Sequence, residues 1–319
     1  MNTDAVIGHT GFVGGTLARQ HRFAAHFNTS NIFDVAGREF STLVCAAAPG
    51  SMFAANRDPQ RDREQIDALI ASLEEIRAGR FVLVSSIAVL EDFADGDDEG
   101  TTAFQEELAY GRHRRALEVF VEETFENSLV VRLPALFGRG LRKNFIFDLL
   151  NPIPTMLTEA KLEGLKSVMD RRLFDLLSGL YSPDPATGML QLQRAVLDAD
   201  PARAALDEAA IVHGFAATQF HNPETTYQYY NMDRLWSDID MALQAELSHI
   251  HLVSEPLKVA SIHRRLTGRD MPASNARQHR EDMRTRHADL WGRQGPYLED
   301  ADLVLDQLAA FYGSERQAL

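Results

Sequence analysis

Short apolar runs alternate with segments of helical period along the first half of the chain. Asp4-Ala5-Val6-Ile7, Phe23 to Phe27, Thr42 to Ala48, Phe81-Val82-Leu83-Val84 and Ser128 to Leu133 read as strands. Most are apolar at consecutive positions rather than alternate ones, the pattern of a strand covered on both faces. Between them, Ile66, Leu69, Ile70, Leu73 and Ile76 recur at helical spacing and form one apolar face, with Asp58-Pro59 supplying an N-cap and a first helical residue. Thr102-Ala103-Phe104-Gln105 has capping-box spacing and predicts a further helix from that point. Tyr110 and Arg114 then lie one turn apart on one face of it. This alternation predicts an α/β fold with a Rossmann-type doubly wound parallel sheet. Fourteen residues separate Phe27 from Thr42, so any helix there is short.

The pattern changes past residue 145. Residues 151 to 230 read as mostly helical, broken by Ser182-Pro183-Asp184-Pro185 and Asp200-Pro201. Leu235, Trp236, Ile239 and Leu243 form another amphipathic helix, Ile250 to Val253 a final strand, and Glu299 to Phe311 a helix-like end. Two lobes follow: residues 1–145, to which the 250–253 strand returns, and a smaller, mostly helical C-terminal lobe over 146–319.

Composition narrows the classes of partner. The net charge is −14, and no basic block is long enough to track a phosphate backbone, which argues against nucleic acid. No basic segment leads into an apolar stretch at the start, and no apolar run approaches the ~20 residues of a membrane span, so a cytoplasmic chain without membrane contact is expected. The single cysteine, Cys45, sits in an apolar run and reads as core. Asp92, Asp95, Asp97, Asp98 and Glu99 read as a solvated loop, and no metal-ligand spacing occurs.

The chemistry is concentrated where the first strand runs into Gly8-His9-Thr10-Gly11-Phe12-Val13-Gly14. A strand that ends in glycines spaced Gly-x-x-Gly-x-x-Gly and continues as a helix is the phosphate-binding turn of a dinucleotide fold. Gly8 permits the tight turn, Gly11 lets a pyrophosphate approach the backbone, and Gly14 lets the helix pack against its strand. The helix N-terminus then faces the anion. Asn28-Thr29-Ser30-Asn31 stands where the adenosine ribose belongs. Asn28 replaces the usual acidic residue and no arginine adjoins it, so the choice between NAD and NADP stays open. Ala46, Ala47 and Ala48 end their strand with small side chains, which suits either a ligand against the backbone or plain packing.

These residues carry a resemblance. Gly8-His9-Thr10-Gly11-Phe12-Val13-Gly14, Ala46-Ala47-Ala48, Ser85-Ser86-Ile87-Ala88-Val89, Tyr110-Gly111-Arg112-His113-Arg114 and Arg132-Leu133-Pro134-Ala135-Leu136-Phe137-Gly138 together resemble the extended short-chain dehydrogenase/reductases, which include nucleotide-sugar epimerases, dehydratases and keto-sugar reductases. The resemblance is strong to about residue 145 and loose afterwards. It implies NAD or NADP as cofactor, held by Gly8, Thr10, Gly11, Phe12, Val13, Gly14, Asn28, Ser30, Ala46, Ala47, Ala48, Ser85, Tyr110, Arg114, Leu133 and Pro134. It implies Tyr110 as the catalytic proton donor or acceptor, Ser86 as the hydroxyl orienting the substrate oxygen, and a homodimer. The later lobe would hold a small-molecule substrate such as a nucleotide sugar.

One position departs from the family. A tyrosine of ordinary pKa, near ~10, needs a nearby cation to act as a base at neutral pH, and the family places lysine four residues after it. Here that residue is Arg114. Arginine keeps the charge and can hydrogen-bond ribose hydroxyls, but it does not relay a proton. Two readings follow: a competent oxidoreductase with Arg114 as its cation, or a sensor or scaffold that binds NAD(P) without turnover. The basic loop Gly138-Arg139-Gly140-Leu141-Arg142-Lys143-Asn144 suits either a diphosphate or solvent. His213, His221 and Asn222 could line a pocket but carry no defensible motif.

Overall fold

The computed structural model describes residues 3–185 and 187–318. Six parallel strands form the central sheet: β1 (Ala5–Ile7), β2 (Ala25–Phe27), β3 (Glu39–Cys45), β4 (Arg77–Ser86), β5 (Ser128–Leu133) and β6 (His249–His251), in the spatial order 6-5-4-3-1-2. The order in which strands are laid across the sheet reverses at β1, which pairs in parallel with β2 on one side and with β3 on the other. That reversal is a topological switch point, where ligands bind in open α/β sheets. The segment between β2 and β3 is too short for a long crossover helix and holds only a 3-10 turn, Ile32–Val35.

Strand alternation divides the interior into two cores. Val6, Val44, Val82 and Val131 pack with Leu17 of α1 (Phe12–Gln20). After α2 (Met52–Arg57), α3 (Pro59–Leu73) and α4 (Ala109–Thr124), the chain returns as α5 (Leu235–Gln244), whose Leu235, Ile239 and Ala242 complete this first core. Ala5, Ile7, Leu43, Cys45, Phe81 and Leu83 pack in the second core with Ile66, Leu69 and Leu73 of α3 and with Leu117 and Val121 of α4. Burial on both faces explains why these strands read as continuous apolar runs. The sheet is the Rossmann-type doubly wound sheet that this pattern predicts.

Helix α4 begins later than the capping-box spacing predicts. Residues 101–108 are non-helical: Phe104 bridges Leu90, and the Gln105 N–H donates to the Val89 carbonyl. The Gln105 side-chain oxygen accepts from the N–H groups of Glu107 and Leu108. Contacts to the end of β4 satisfy this backbone, so the helix starts only at Ala109.

The chain divides into two compact units, and the division differs from a single cut at 145. Residues 1–141, 226–257 and 280–311 form the sheet unit, and 142–225, 258–279 and 312–319 form the second. The stretch Glu299 to Phe311, expected in the C-terminal lobe, thus belongs with the sheet, where Val304 and Leu308 are buried. The second unit is not purely helical. Met156–Leu157, Met189–Leu192 and Tyr181–Asp184 form an antiparallel sheet in that order beside a core containing Ile153, Phe174, Leu177 and Leu206. Pro183, read as a helix breaker, lies in its edge strand, where the missing N–H costs no ladder bond. Among the described residues no helix is long and apolar enough to cross a membrane.

Where β1 meets α1 the packing leaves no room for a side chain. A Cβ on Gly14 would lie 2.2 Å from the Gly8 carbonyl oxygen, which is backbone and has little freedom to retreat. Gly14→Ala is therefore expected to destabilise the protein by roughly 2 kcal/mol or more, read as a lower denaturation midpoint by circular dichroism. An unchanged midpoint would show that the turn can open.

Candidate functional site

Three strand ends converge on Gly8. Its N–H donates to the Phe27 carbonyl at 2.8 Å, its φ is +91°, and a Cβ there would lie 2.4 Å from the Ala46 carbonyl oxygen. Only glycine meets both demands. Gly11 differs, because a Cβ on it would meet only the Gly8 oxygen, at 3.3 Å. Gly8 and Gly14 thus serve the protein's own backbone, whereas a Cβ on Gly11 would meet a single backbone oxygen at a distance that needs a shift of a few tenths of an ångström.

Gly11 is also the N-cap of α1, which carries no side-chain cap and no acidic residue in its first turn. The side chains of Phe12 and Val13 pack against the sheet core, so what these residues offer a ligand is N–H. An uncapped helix start above a glycine turn fits the pyrophosphate of a dinucleotide. Thr10 is exposed beside it.

At the end of β2, the Asn28 carboxamide oxygen accepts from the N–H and hydroxyl of Ser30 at 2.8 and 2.6 Å. Asn28 therefore presents N–H donors where an aspartate would present acceptors. Ala46, Ala47 and Ala48 are partly buried at the end of β3, and the Ala46 N–H donates to the Ile7 carbonyl. Leu133 is buried and Pro134 partly buried at the end of β5.

The two serines at the end of β4 point to different places. Successive strand residues face opposite sides, so Ser85 and Ser86 do not share a ligand. Ser85 donates to Glu118 at 2.6 Å, turned into the protein rather than toward a cofactor. The Ser86 hydroxyl accepts from the Ala88 N–H at 3.2 Å and lies close enough to Tyr110 to favour its phenolate. Tyr110 lies in the first turn of α4, its N–H held by the Asn56 side-chain oxygen at 2.9 Å.

Arg114 is 2% exposed, and its guanidinium is already engaged. It forms two hydrogen bonds to Asp62, of 2.5 and 2.9 Å, one of 2.5 Å to the Pro49 carbonyl and one of 3.3 Å to the Tyr110 carbonyl. Only Nε lacks a partner among the described residues. Its carbon sits 4.1 Å from the centroid of the Tyr110 ring, over the face of the phenol. The expected free cation for ribose is thus a bound one. Asp62, 3% exposed, also takes Nδ1 of His113 at 2.8 Å.

Electrostatics follow from this arrangement. Burial alone would raise the Asp62 carboxyl, but hydrogen bonds and charge from Arg114 and His113 hold it below its ordinary value. Burial raises the Tyr110 phenol above its ordinary value, and Arg114 and Ser86 oppose the rise without reversing it, while Asp62 adds to it. Arg114 therefore lowers the Tyr110 pKa without bringing it below its ordinary value.

Asp62 and Asn56 were not among the sequence candidates. The signal for Asp62 was its spacing: it precedes Ile66 by four residues and Leu69 by seven, a carboxylate on the apolar stripe of α3. Nothing in the sequence marks Asn56.

A second buried network lies one turn further along α4. Glu118, fully buried, accepts two hydrogen bonds from Arg132 at 3.0 and 2.7 Å and one from Arg115 at 3.0 Å. His251 donates through Nδ1 to the Arg284 carbonyl at 2.9 Å, leaving Nε2 to accept from Arg132 at 3.2 Å. Burial and the adjacent Arg132 charge push its pKa down to about 4. The acidic loop joins this network rather than standing free: Glu99 accepts from the His251 N–H and the Thr285 hydroxyl, and Asp98 pairs with Arg286. Among the described residues no cluster of three or more His, Cys, Asp or Glu could hold a metal.

The remaining candidates have other settings. Cys45 is buried, which pushes its thiol up to about 11 and leaves it unreactive. Arg139, Arg142 and Lys143 are exposed, on a loop that contains the division between the units. His221 pairs with Asp148, Asn222 donates to the Ala276 carbonyl, and His213 is exposed.

No family model and no curated protein matches this chain in sequence. Solved structures do match it. RMD from Pseudomonas aeruginosa, complexed with NADPH, is 16% identical over 100% of both chains, with a TM-score of 0.60. dTDP-4-dehydrorhamnose reductase from Bacillus anthracis, in complex with NADP, is 14% identical over 98% of this chain and 99% of that one, at 0.60. A variant UDP-glucuronic acid 4-epimerase from Bacillus cereus, with NAD and a fluorinated UDP-sugar, is 10% identical over 99% of both, at 0.61. At such identities the likeness shows the fold alone, the doubly wound α/β sheet that these reductases and this epimerase share with the chain.

The His251 setting has a pH consequence. Its folded pKa lies below the ordinary 6.5, so the unfolded chain binds the proton first. The stabilisation is complete above pH 6.5 and is lost as pH falls toward 4. Thermal unfolding between pH 4 and 8 is expected to steepen below 6.5 in the wild type and to flatten in His251→Gln; identical slopes would contradict this.

Proposed function

We propose that the chain is an NAD(P)-dependent oxidoreductase, of the epimerase, dehydratase or reductase kind, acting on a sugar or nucleotide sugar. One observation carries this reading. The Gly11 N–H at the uncapped start of α1 donates to the Gly8 carbonyl, Gly8 abuts Ala46, the chain runs on from there to Pro49, whose carbonyl holds Arg114, and Arg114 lies over the Tyr110 ring. An anion site and a hydroxyl pair suited to carbonyl chemistry thus stand at one edge of one sheet.

On this reading the Gly8–Gly14 turn and the N–H groups of Phe12 and Val13 hold the pyrophosphate, and Asn28 donates to the ribose. Ala46, Ala47 and Ala48 leave room along the backbone, with Leu133 and Pro134 at the far side. A bound nicotinamide would supply or accept the hydride. Tyr110 exchanges the proton with the substrate oxygen, and Ser86 orients that oxygen. Arg114 lies beneath the phenol, held there by Asp62 and the Pro49 carbonyl. The NADPH, NADP, NAD and UDP-sugar ligands of the similar structures support the choice of cofactor and substrate class.

The engagement of Arg114 by Asp62 and Pro49 favours a second reading, in which the chain binds NAD(P) as a sensor or scaffold without turnover.

Heat-denaturing the purified protein and identifying released nucleotide by mass spectrometry tests the cofactor. Near-stoichiometric NAD or NADP is expected from an enzyme that recycles its cofactor internally, and an exchangeable cofactor is instead detected by titration. Failure of both measurements removes both readings. Tyr110→Phe is expected to lower turnover of a keto-sugar or nucleotide sugar by at least a hundredfold while leaving cofactor affinity within a few-fold. Unchanged turnover would exclude Tyr110 as the proton carrier, and turnover by the wild type would exclude the sensor.

A further inference from the structure

The engagement of Arg114 bears on the direction in which Tyr110 works. We propose that Asp62 is a positioning residue that binds Arg114 flat beneath the phenol as half of a neutral pair, so that Tyr110 gives a proton to a carbonyl oxygen and does not take one from an alcohol. The inference rests on the redox reading above and deepens it, by naming the substrate as a ketone or aldehyde.

The geometry supplies the argument. A cation that favours phenolate must lie near the hydroxyl and keep its charge uncompensated. Arg114 lies close to the phenol, its carbon 4.1 Å from the ring centroid, but its charge is compensated: Asp62 sits within 2.9 Å of both terminal nitrogens. The Pro49 carbonyl fixes the guanidinium from a third direction. Few other charges face the phenol. His113, on the same helix, is turned to Asp62; α2 offers the neutral Asn56 amide, and β4 the neutral Ser86 hydroxyl. Burial acts on the phenol in the same sense, since it penalises the charged form.

The step balances. A bound reduced nicotinamide would give the carbonyl carbon its hydride with the electron pair and be oxidised. The carbonyl π pair moves to oxygen and takes the Tyr110 proton, giving the alcohol. Water then reprotonates the tyrosine. In the reverse direction Tyr110 would have to start as phenolate, the form this setting disfavours.

The test follows phenolate absorbance near 295 nm in the protein without cofactor or substrate, comparing wild type with Tyr110→Phe to isolate the one tyrosine. No Tyr110 phenolate is expected below about pH 10. Asp62→Asn, which keeps a hydrogen-bond acceptor but removes the charge, is expected to move its onset down by at least one pH unit, a tenfold change, and Asp62→Glu to restore it. Phenolate in the wild type near neutral pH would overturn the proposal without touching the cofactor reading, and this measurement needs no variant at position 62 to fold. An Asp62→Asn onset equal to that of wild type in a folded protein would overturn it as well. A protein that binds no nucleotide would fail the redox reading and leave the titration interpretable.

Discussion

Between the ends of β1 and β3 there is no space for a side chain. The Gly8 α-carbon lies so close to the Ala46 carbonyl, and Gly14 to the Gly8 carbonyl, that a single methyl at either place would collide with backbone. That contact holds the switch point shut on the protein side. It sets the direction in which α1 leaves the sheet, and so where its unpaired N–H groups point. Every later feature of the site is hung from it, because the β3 end continues into the Ala46–Pro49 segment that grips Arg114.

The second organising constraint is the treatment of buried charge. Two arginines are buried against α3 and α4, and each has a carboxylate to itself or nearly so: Arg114 with Asp62, Arg132 with Glu118. Removing one partner from such a pair leaves an uncompensated charge in a poorly solvated place, a loss larger than the pair's own net contribution. The two pairs sit on the same helix face region of α4 yet serve different ends. One lies under the candidate catalytic tyrosine; the other fastens the 98–99 and 284–286 segments to the end of the sheet through His251.

Much of the sheet was legible because doubly buried strands cannot hide. Phe81 to Val84 and Leu129 to Val131 are apolar at every position, and the glycine spacing at Gly8, Gly11 and Gly14 states its own geometry. What was not legible depended on contacts distant in sequence. The start of α4 was displaced because Gln105 finds its backbone partner at Val89. Ser85 could not be separated from Ser86 by type, only by the alternation of the strand that carries both. Arg114 reads as a free cation until Asp62, fifty-two positions earlier, is brought beneath it. The assignment of residues 280–311 to the sheet unit is likewise non-local, since nothing in their composition names the surface they cover.

The sheet unit is assembled from three separated stretches of chain, and this has a consequence for biosynthesis. β1 to β5 are complete by Leu133, and α3 and α4 are at hand to cover one apolar face. The opposite face, lined by Val6, Val44, Val82 and Val131, has only α1 until Leu235, Ile239 and Ala242 emerge about a hundred residues later. At translation rates of roughly 5–20 residues per second, a nascent chain carries that half-covered sheet for several seconds. The intervening residues of the second unit are made during that interval, so the period of greatest aggregation risk is written into the order of the segments rather than into any one of them.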